Sequence, residues 1–142
     1  RLIGKALRDE GTTHHYLPPG RFAIADTSLV NAIERRLVKA SLPTYRGGSW
    51  TTDAPFRETE RLIALRRQEG IVSVEMEAAA LLALGSTLGK PTVCLAHITN
   101  AMATREDDFE KGGNVGLKES LSICTVALSS ALEYATTNPD PT

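Results

Sequence analysis

The chain has 142 residues, of which 42% are hydrophobic, and this is enough to fill the core of one domain. Its 16 basic and 17 acidic side chains nearly cancel, which gives no reason to expect a nucleic acid or an anionic membrane as a partner. No apolar stretch approaches the roughly 20 residues of a membrane-spanning helix, so we expect a cytoplasmic protein that contacts no membrane.

The first third of the chain predicts a strand, a helix and a second strand. Residues 2–8 are typical of a strand, and the sequence opens at the edge of that strand. Asp26 is a good helix N-cap, and the apolar residues after it recur at helical spacing until Pro43 ends the helix. Residues 44–51 then predict a short strand that contains two glycines.

The middle of the chain continues this alternation. Residues 57–69 predict a charged surface helix, with Gly70 where a C-cap glycine belongs. A short apolar strand follows at residues 71–74. Residues 78–88 are apolar nearly all round, so we expect this helix to be buried on every side.

The last third adds a strand and a helix. Residues 92–98 predict a strongly apolar strand, 99–114 a long polar segment, and 115–134 an amphipathic helix. We expect one domain over residues 1–135 and a disordered tail over 136–142. Alternating strands and helices are typical of an α/β domain, in which helices pack on a sheet.

The cysteines and histidines give no pattern of metal ligands. Cys94 and Cys124 lie in apolar segments, so we expect both to be reduced, buried thiols. His14, His15 and His97 have no cysteine partner at the spacing of a zinc site. We therefore expect no metal.

In α/β domains, ligands bind outside the carboxyl ends of the strands of the sheet. Three segments occupy such positions here: residues 52–57, residues 75–77, and the chain from Thr99 onward. The acidic pair Glu75 and Glu77 follows an apolar strand and opens a helix. A carboxylate there can accept two hydrogen bonds from a vicinal diol such as a ribose. Alternatively, the acids only interact with the helix dipole, which stabilises by about 0.3–1 kcal/mol.

Four segments resemble the nucleoside phosphorylase family, which includes uridine phosphorylases, hexameric purine nucleoside phosphorylases and related nucleosidases. VEMEAAA at residues 74–80 is similar to the family's ribose-binding signature, and WTTDAPFRE at residues 50–58 resembles the segment that precedes it. ALRDEGT at residues 6–12 and CLAHITN at residues 94–100 resemble further segments, in the same order. The resemblance implies a partial three-layer α/β/α phosphorylase-type domain with a mixed central sheet.

The resemblance assigns roles to residues of the sugar and base pockets. Glu77 would bind the ribose hydroxyls, and Glu75 and Met76 would line the sugar pocket. Phe56 would stack on or near the base, although the family's aromatic residue normally falls where this chain has Pro55; a core phenylalanine is the alternative.

Asn100 and Arg61 would contact the base. Hexameric purine nucleoside phosphorylases and adenine-specific nucleosidases carry an aspartate at the position of Asn100, which protonates the leaving purine, and an asparagine cannot give up a proton. As a catalytic residue, Asn100 would instead hydrogen-bond a 6-oxopurine or a pyrimidine and stabilise the leaving anion. A turn asparagine is the alternative. Arg61 lies at a position where uridine phosphorylases contact a carbonyl group of the base. Alternatively, Arg61 is an arginine on the surface of a helix and contacts no ligand.

The resemblance predicts a phosphorylase that uses phosphate as co-substrate, without a cofactor, to cleave a uridine-type or 6-oxopurine nucleoside to free base and ribose 1-phosphate. A hydrolytic nucleosidase is one alternative. The family's phosphate-binding loop and arginines would lie upstream of Arg1, so an inactive, truncated nucleoside-binding protein is another. We also expect a homo-oligomer, because a partial domain exposes apolar surface and sheet edge.

Overall fold

The computed structural model describes residues 1–98 and 117–139. Its strands and helices, in chain order, are β1 (Leu2–Asp9), β2 (Phe22–Ile24), α1 (Thr27–Lys39), β3 (Arg46–Thr52), α2 (Glu60–Gln68), β4 (Ile71–Glu75), α3 (Ala78–Thr87), β5 (Cys94–Leu95) and α4 (Leu117–Thr137). They form two compact units. The first contains Arg1–Val30 and Tyr45–Ala96, and the second contains Asn31–Thr44 and the described residues from His97 onward.

The strands of the first unit form one mixed sheet, as the resemblance predicted. The strand order is β2-β1-β3-β4, and β5 pairs with the start of β1. β1, β3 and β4 are parallel, whereas β2 and β5 run antiparallel to β1. The parallel strands therefore end at the same edge of the sheet.

Helices cover both faces of this sheet. Trp50 and Thr51 are consecutive residues of β3, so their side chains point to opposite faces. On the Trp50 face, Leu62 and Ile63 of α2 pack against the core. On the other face, the Thr51 hydroxyl accepts a hydrogen bond from the amide of Ala79 in α3. The predicted three-layer α/β/α arrangement is thus confirmed in the first unit.

α2 is a surface helix, as its charge pattern predicts, but it starts later than expected. Residues 55–57 form a separate 3-10 turn. Thr59 then caps α2, because its hydroxyl oxygen accepts a hydrogen bond from the Leu62 amide at 3.4 Å. The helix ends before Gly70, whose φ of 78° is the left-handed conformation expected of a C-cap glycine.

The expectation that α3 is buried on every side is wrong. Ala79 and Leu82 are buried, but Leu81 is 50% exposed and Leu84 is 40% exposed. The reason is that α3 covers one face of the sheet and therefore buries only the side of the helix that faces it. The strand predicted over residues 92–98 is also shorter, since only Cys94 and Leu95 pair with β1.

The helices α1 and α4 are close to their predicted positions. Asp26 accepts a hydrogen bond from the Leu29 amide at 2.7 Å and so caps α1 as expected. α4 continues to Thr137, although the tail was predicted from residue 136. The longer helix is supported by Thr137 Oγ1, which donates to the Glu133 carbonyl at 2.9 Å. None of the described helices is long and apolar enough to cross a membrane.

The two cysteines differ in their surroundings. Both are free thiols. Cys94 is half-buried, whereas the expectation that Cys124 is buried is wrong because its side of α4 is exposed. Burial raises the pKa of the Cys94 thiol to about 11, and the negative charges of Glu75 and Glu77 contribute to this shift.

We expect thiol reagents at pH 8 to modify Cys124 and to spare Cys94, because the thiolate is the reactive form. Peptide mass spectrometry after brief labelling measures this, with Cys124→Ser as the control. Rapid labelling of Cys94 in the folded chain would contradict the prediction.

The raised pKa of Cys94 also links its protonation to the stability of the fold. The protonated thiol contributes stability below its ordinary pKa of 9.0, and this contribution is lost as pH rises from there towards about 11.

Candidate functional site

The carboxyl ends of three parallel strands lie side by side at one edge of the sheet. β1 and β3 end at the pair Asp9 and Thr52, and β4 ends at Glu75, which lies opposite Thr51 of β3. Two of the three predicted site segments, residues 52–57 and 75–77, therefore meet at this edge. The third, from Thr99 onward, lies outside the described residues.

The segments after β1 and β3 are joined to each other. The Gly11 amide donates a hydrogen bond to Asp53 Oδ2 at 3.0 Å. Closer to the strands, the Trp50 indole N–H of β3 donates to Asp9 Oδ2 at the end of β1 at 2.9 Å. These bonds hold the two loops together at the carboxyl edge.

Glu75 is the hydrogen-bonding centre of the start of α3. Its Oε1 accepts from the Thr51 hydroxyl at 2.6 Å. Its Oε2 accepts from the amides of Glu77 at 2.8 Å and Ala78 at 2.5 Å. The next amide, that of Ala79, donates to Thr51 Oγ1 at 3.0 Å. Glu75 and Thr51 together thus satisfy three amides that the helix itself leaves without partners.

Glu77 and Met76, in contrast, face solvent. Met76 is 51% exposed, and Glu77 is exposed as well. Glu77 Oε2 accepts from the adjacent Met76 amide at 3.2 Å, and within the described residues its carboxylate has no other hydrogen-bond partner. The two glutamates therefore differ in their contacts: Glu75 caps the helix, whereas the carboxylate of Glu77 is exposed to solvent.

The predicted base contacts lie on the other side of the edge, around α2. Arg61 is exposed and lines an open cleft of about 870 Å³, together with Arg57, Asp53 and Trp50. Phe56 is 96% exposed, so the alternative that it is a core residue is wrong. Its ring is open to a stacking partner. In the described part of the chain, no three acidic, histidine or cysteine side chains converge as metal ligands.

Asn100, the predicted catalytic residue, lies outside the described residues. Its role at the base therefore remains a prediction from the sequence.

A buried arginine organises the segment after β1. Arg8 is only 8% exposed and donates to Thr13 Oγ1 at 3.0 Å, to the Pro18 carbonyl at 2.7 Å and to the Leu17 carbonyl at 3.3 Å. Glu10 accepts in turn from the Thr13 hydroxyl and from its amide. Burial alone would raise the pKa of Glu10, but these hydrogen bonds outweigh it and lower the pKa.

The sequence does not reveal this role of Arg8, because an arginine at the end of a strand-like segment is usually exposed. Thr51 was missed for a different reason. Its partner Glu75 lies 24 residues away, and only the register of β3 with β4 brings the two together.

We expect Arg8→Lys to destabilise the chain by about 2–3 kcal/mol, because one ammonium group cannot reach all the acceptors of the guanidinium and would leave buried carbonyls without partners. Urea unfolding measures this, and limited proteolysis should show faster cleavage within residues 10–20. Arg35→Lys, on the exposed side of α1, is the control and should change neither. Equal stability of the two variants would contradict the role assigned to Arg8.

The comparisons with known proteins agree with this architecture. The family model of the phosphorylase superfamily matches residues 2–130. The chain belongs to the phosphorylase superfamily. Among curated members, a DeoD-type purine nucleoside phosphorylase of Mycoplasma genitalium is 28% identical over 90 residues, which are 63% of this chain and 38% of the relative. The match therefore spans less than half of that relative.

Two solved structures share the fold. The purine nucleoside phosphorylase of Toxoplasma gondii, in complex with immucillin-H, superposes with a TM-score of 0.82 at 15% identity, over 96% of this chain and 56% of the other. The AMP nucleosidase of Bacteroides thetaiotaomicron superposes with a TM-score of 0.72 at 25% identity, over 94% and 55%. This chain thus corresponds to somewhat more than half of each.

Proposed function

We propose that the chain is the nucleoside-binding part of a phosphorylase that cleaves N-glycosidic bonds, and that Glu77 binds the hydroxyls of the ribose. The observation that supports this most strongly is the division of roles at the start of α3. Glu75 already satisfies the helix amides, so the carboxylate of Glu77 is left to accept hydrogen bonds from a ligand. The exposed Met76 offers an apolar surface to the sugar ring beside it.

The proposed reaction transfers the ribosyl group to phosphate. A phosphate oxygen forms a bond to C1′ of the ribose while the bond from C1′ to the base nitrogen breaks. The electron pair of that bond stays on the base, which takes up from solvent the proton that the phosphate releases and then leaves. The sugar product is ribose 1-phosphate. Phosphate is the co-substrate, and the scheme needs no cofactor.

We propose a uridine-type or 6-oxopurine nucleoside as the substrate. The support for this comes from the sequence, where Asn100 stands at a position at which an acid would protonate adenine. An amide can donate a hydrogen bond to a base that carries negative charge, but it cannot transfer a proton to it. Phe56 and Arg61 are the proposed contacts to the base. Phe56 would stack on the ring, and Arg61 would donate a hydrogen bond to a carbonyl oxygen of the base.

A hydrolytic nucleosidase is the second candidate, and the similarity to the Bacteroides AMP nucleosidase favours it. In that case water rather than phosphate would take the ribosyl group, and the same Glu77 contact would hold the sugar. A protein that binds nucleosides without turnover is the third candidate. All three share the ribose contact and differ in what happens to the glycosidic bond.

One pair of measurements separates these candidates. Calorimetric titration with inosine and with uridine measures binding, and chromatography of the free base measures turnover, each with and without phosphate. The proposal predicts binding of at least one of the two nucleosides and a release of base that requires phosphate. Release without phosphate would favour the nucleosidase, and binding without release would favour the inactive binding protein. Absence of binding would contradict all three.

We also propose that the chain forms a homo-oligomer in solution, which rests on the outer side of α3. Leu81, Leu84 and Leu88 are all exposed there, and Tyr16 is 45% exposed. Contiguous apolar surface of this kind is commonly covered in an assembly. Light scattering at micromolar concentration should give at least the mass of a dimer, and Leu81→Glu should lower it. A monomer at that concentration would contradict the proposal.

A further inference from the structure

Thr51 is a fully buried polar residue that both donates and accepts a hydrogen bond at the start of α3. Its exposed fraction is 0%, its hydroxyl donates to Glu75 Oε1 at 2.6 Å, and the same oxygen accepts from the Ala79 amide at 3.0 Å. Thr51 thus connects β3 both to the end of β4 and to the first turn of α3.

The contact between Thr51 and Glu75 extends to Glu77 through the backbone. Glu75 Oε2 accepts from the Glu77 amide at 2.8 Å and from the Ala78 amide at 2.5 Å. The orientation of the Glu75 carboxylate therefore fixes the backbone from which the Glu77 side chain projects. The Thr51 hydroxyl holds that carboxylate at its other oxygen.

We infer that Thr51 is a positioning residue for ribose recognition: through Glu75 it fixes the backbone of Glu77, and so sets the affinity for the sugar diol. This inference rests on the proposed function, because it requires that Glu77 contacts the ribose. Thr51 itself touches no ligand in this account. A valine at this position has nearly the same shape but leaves Glu75 Oε1 and the Ala79 amide without their partner.

The test compares a nucleoside that has the diol with one that lacks it. Inosine and 2′,3′-dideoxyinosine, or uridine and 2′,3′-dideoxyuridine, differ only in the hydroxyls that Glu77 would bind. Calorimetry gives the dissociation constant of the dideoxynucleoside divided by that of the ribonucleoside. This ratio is measured for the unsubstituted chain, Thr51→Val, Thr51→Ser and Glu77→Ala. Circular dichroism and urea unfolding establish that each variant is folded.

We expect Thr51→Val to weaken binding of the ribonucleoside by about tenfold, which corresponds to ~1.4 kcal/mol, the scale of one misplaced hydrogen bond. Binding of the dideoxynucleoside should stay the same, so the ratio falls. Thr51→Ser keeps the hydroxyl and should keep the ratio. If Thr51→Val does not fold, Glu75→Gln replaces it with the same expectation, because the amide oxygen is a weaker acceptor for the Glu77 backbone.

Two outcomes would overturn the inference without touching the proposed function. In the first, Thr51→Val weakens both ligands equally, as a purely structural role would. In the second, it leaves the affinity for both ligands unchanged while Glu77→Ala removes the preference for the diol. If the unsubstituted chain itself shows no preference for the diol, the proposed function fails and the inference fails with it.

Discussion

Replacing Glu77 with alanine should weaken nucleoside binding by at least about tenfold. A hydrogen bond to a charged group contributes roughly 1.5–3 kcal/mol, and ~1.4 kcal/mol corresponds to a factor of ten in the dissociation constant. Because Glu77 is exposed and its carboxylate supports no other described element, the loss of affinity should come without a loss of stability. Calorimetric titration with inosine and uridine measures the first quantity, and urea unfolding measures the second.

The chain offers a matched control for this experiment. Glu60 is also an exposed glutamate at the start of a helix, but it lies in α2, whereas Glu77 immediately precedes α3. Glu60→Ala should leave the affinity for nucleosides unchanged. If Glu77→Ala binds as tightly as Glu60→Ala, Glu77 does not contact the ribose, and the assignment of the pocket to the start of α3 is wrong.

The second large effect is expected at Gly85, in the interior of α3. Glycine to alanine in a helix normally stabilises by about 0.5–1 kcal/mol. Here a Cβ would lie 1.9 Å from Thr92 Oγ1 and 2.6 Å from Thr92 Cβ. Thr92 cannot move away easily, because its carbonyl accepts from the Asp26 amide at 3.0 Å and its hydroxyl donates to the Lys90 carbonyl at 2.9 Å.

We therefore expect Gly85→Ala to destabilise the chain by about 1–3 kcal/mol, the usual cost of overpacking a filled site. Urea unfolding measures the change. Ser86→Ala, at the neighbouring and exposed position of the same helix, is the control and should change stability by less than about 0.5 kcal/mol. A Gly85→Ala variant as stable as Ser86→Ala would show that α3 does not pack closely against the segment before β5.

Much of the fold follows from local patterns in the sequence. Asp26 caps α1, Gly70 ends α2, and the apolar residues 71–74 form β4, because each of these signals acts within a few residues. The position of the acidic pair at the carboxyl end of β4 was predictable for the same reason. It needs only a strand, two acids and a helix in succession.

What the sequence could not provide depends on contacts between distant segments. The composition of α3 is apolar all round, and only the packing on one face of the sheet shows why Leu81 is exposed while Leu82 is buried. The different roles of Glu75 and Glu77 depend on Thr51, which is brought to Glu75 by the parallel pairing of β3 with β4. The role of Arg8 depends in the same way on carbonyls of the loop that follows it.

The most direct test of the ribose pocket is a titration of the unsubstituted chain with two ligands that differ only at the sugar. We expect inosine or uridine to bind at least about tenfold more tightly than its 2′,3′-dideoxy analogue, because the Glu77 carboxylate would accept hydrogen bonds from both hydroxyls. Equal affinity for the two ligands, or no binding of either, would contradict it.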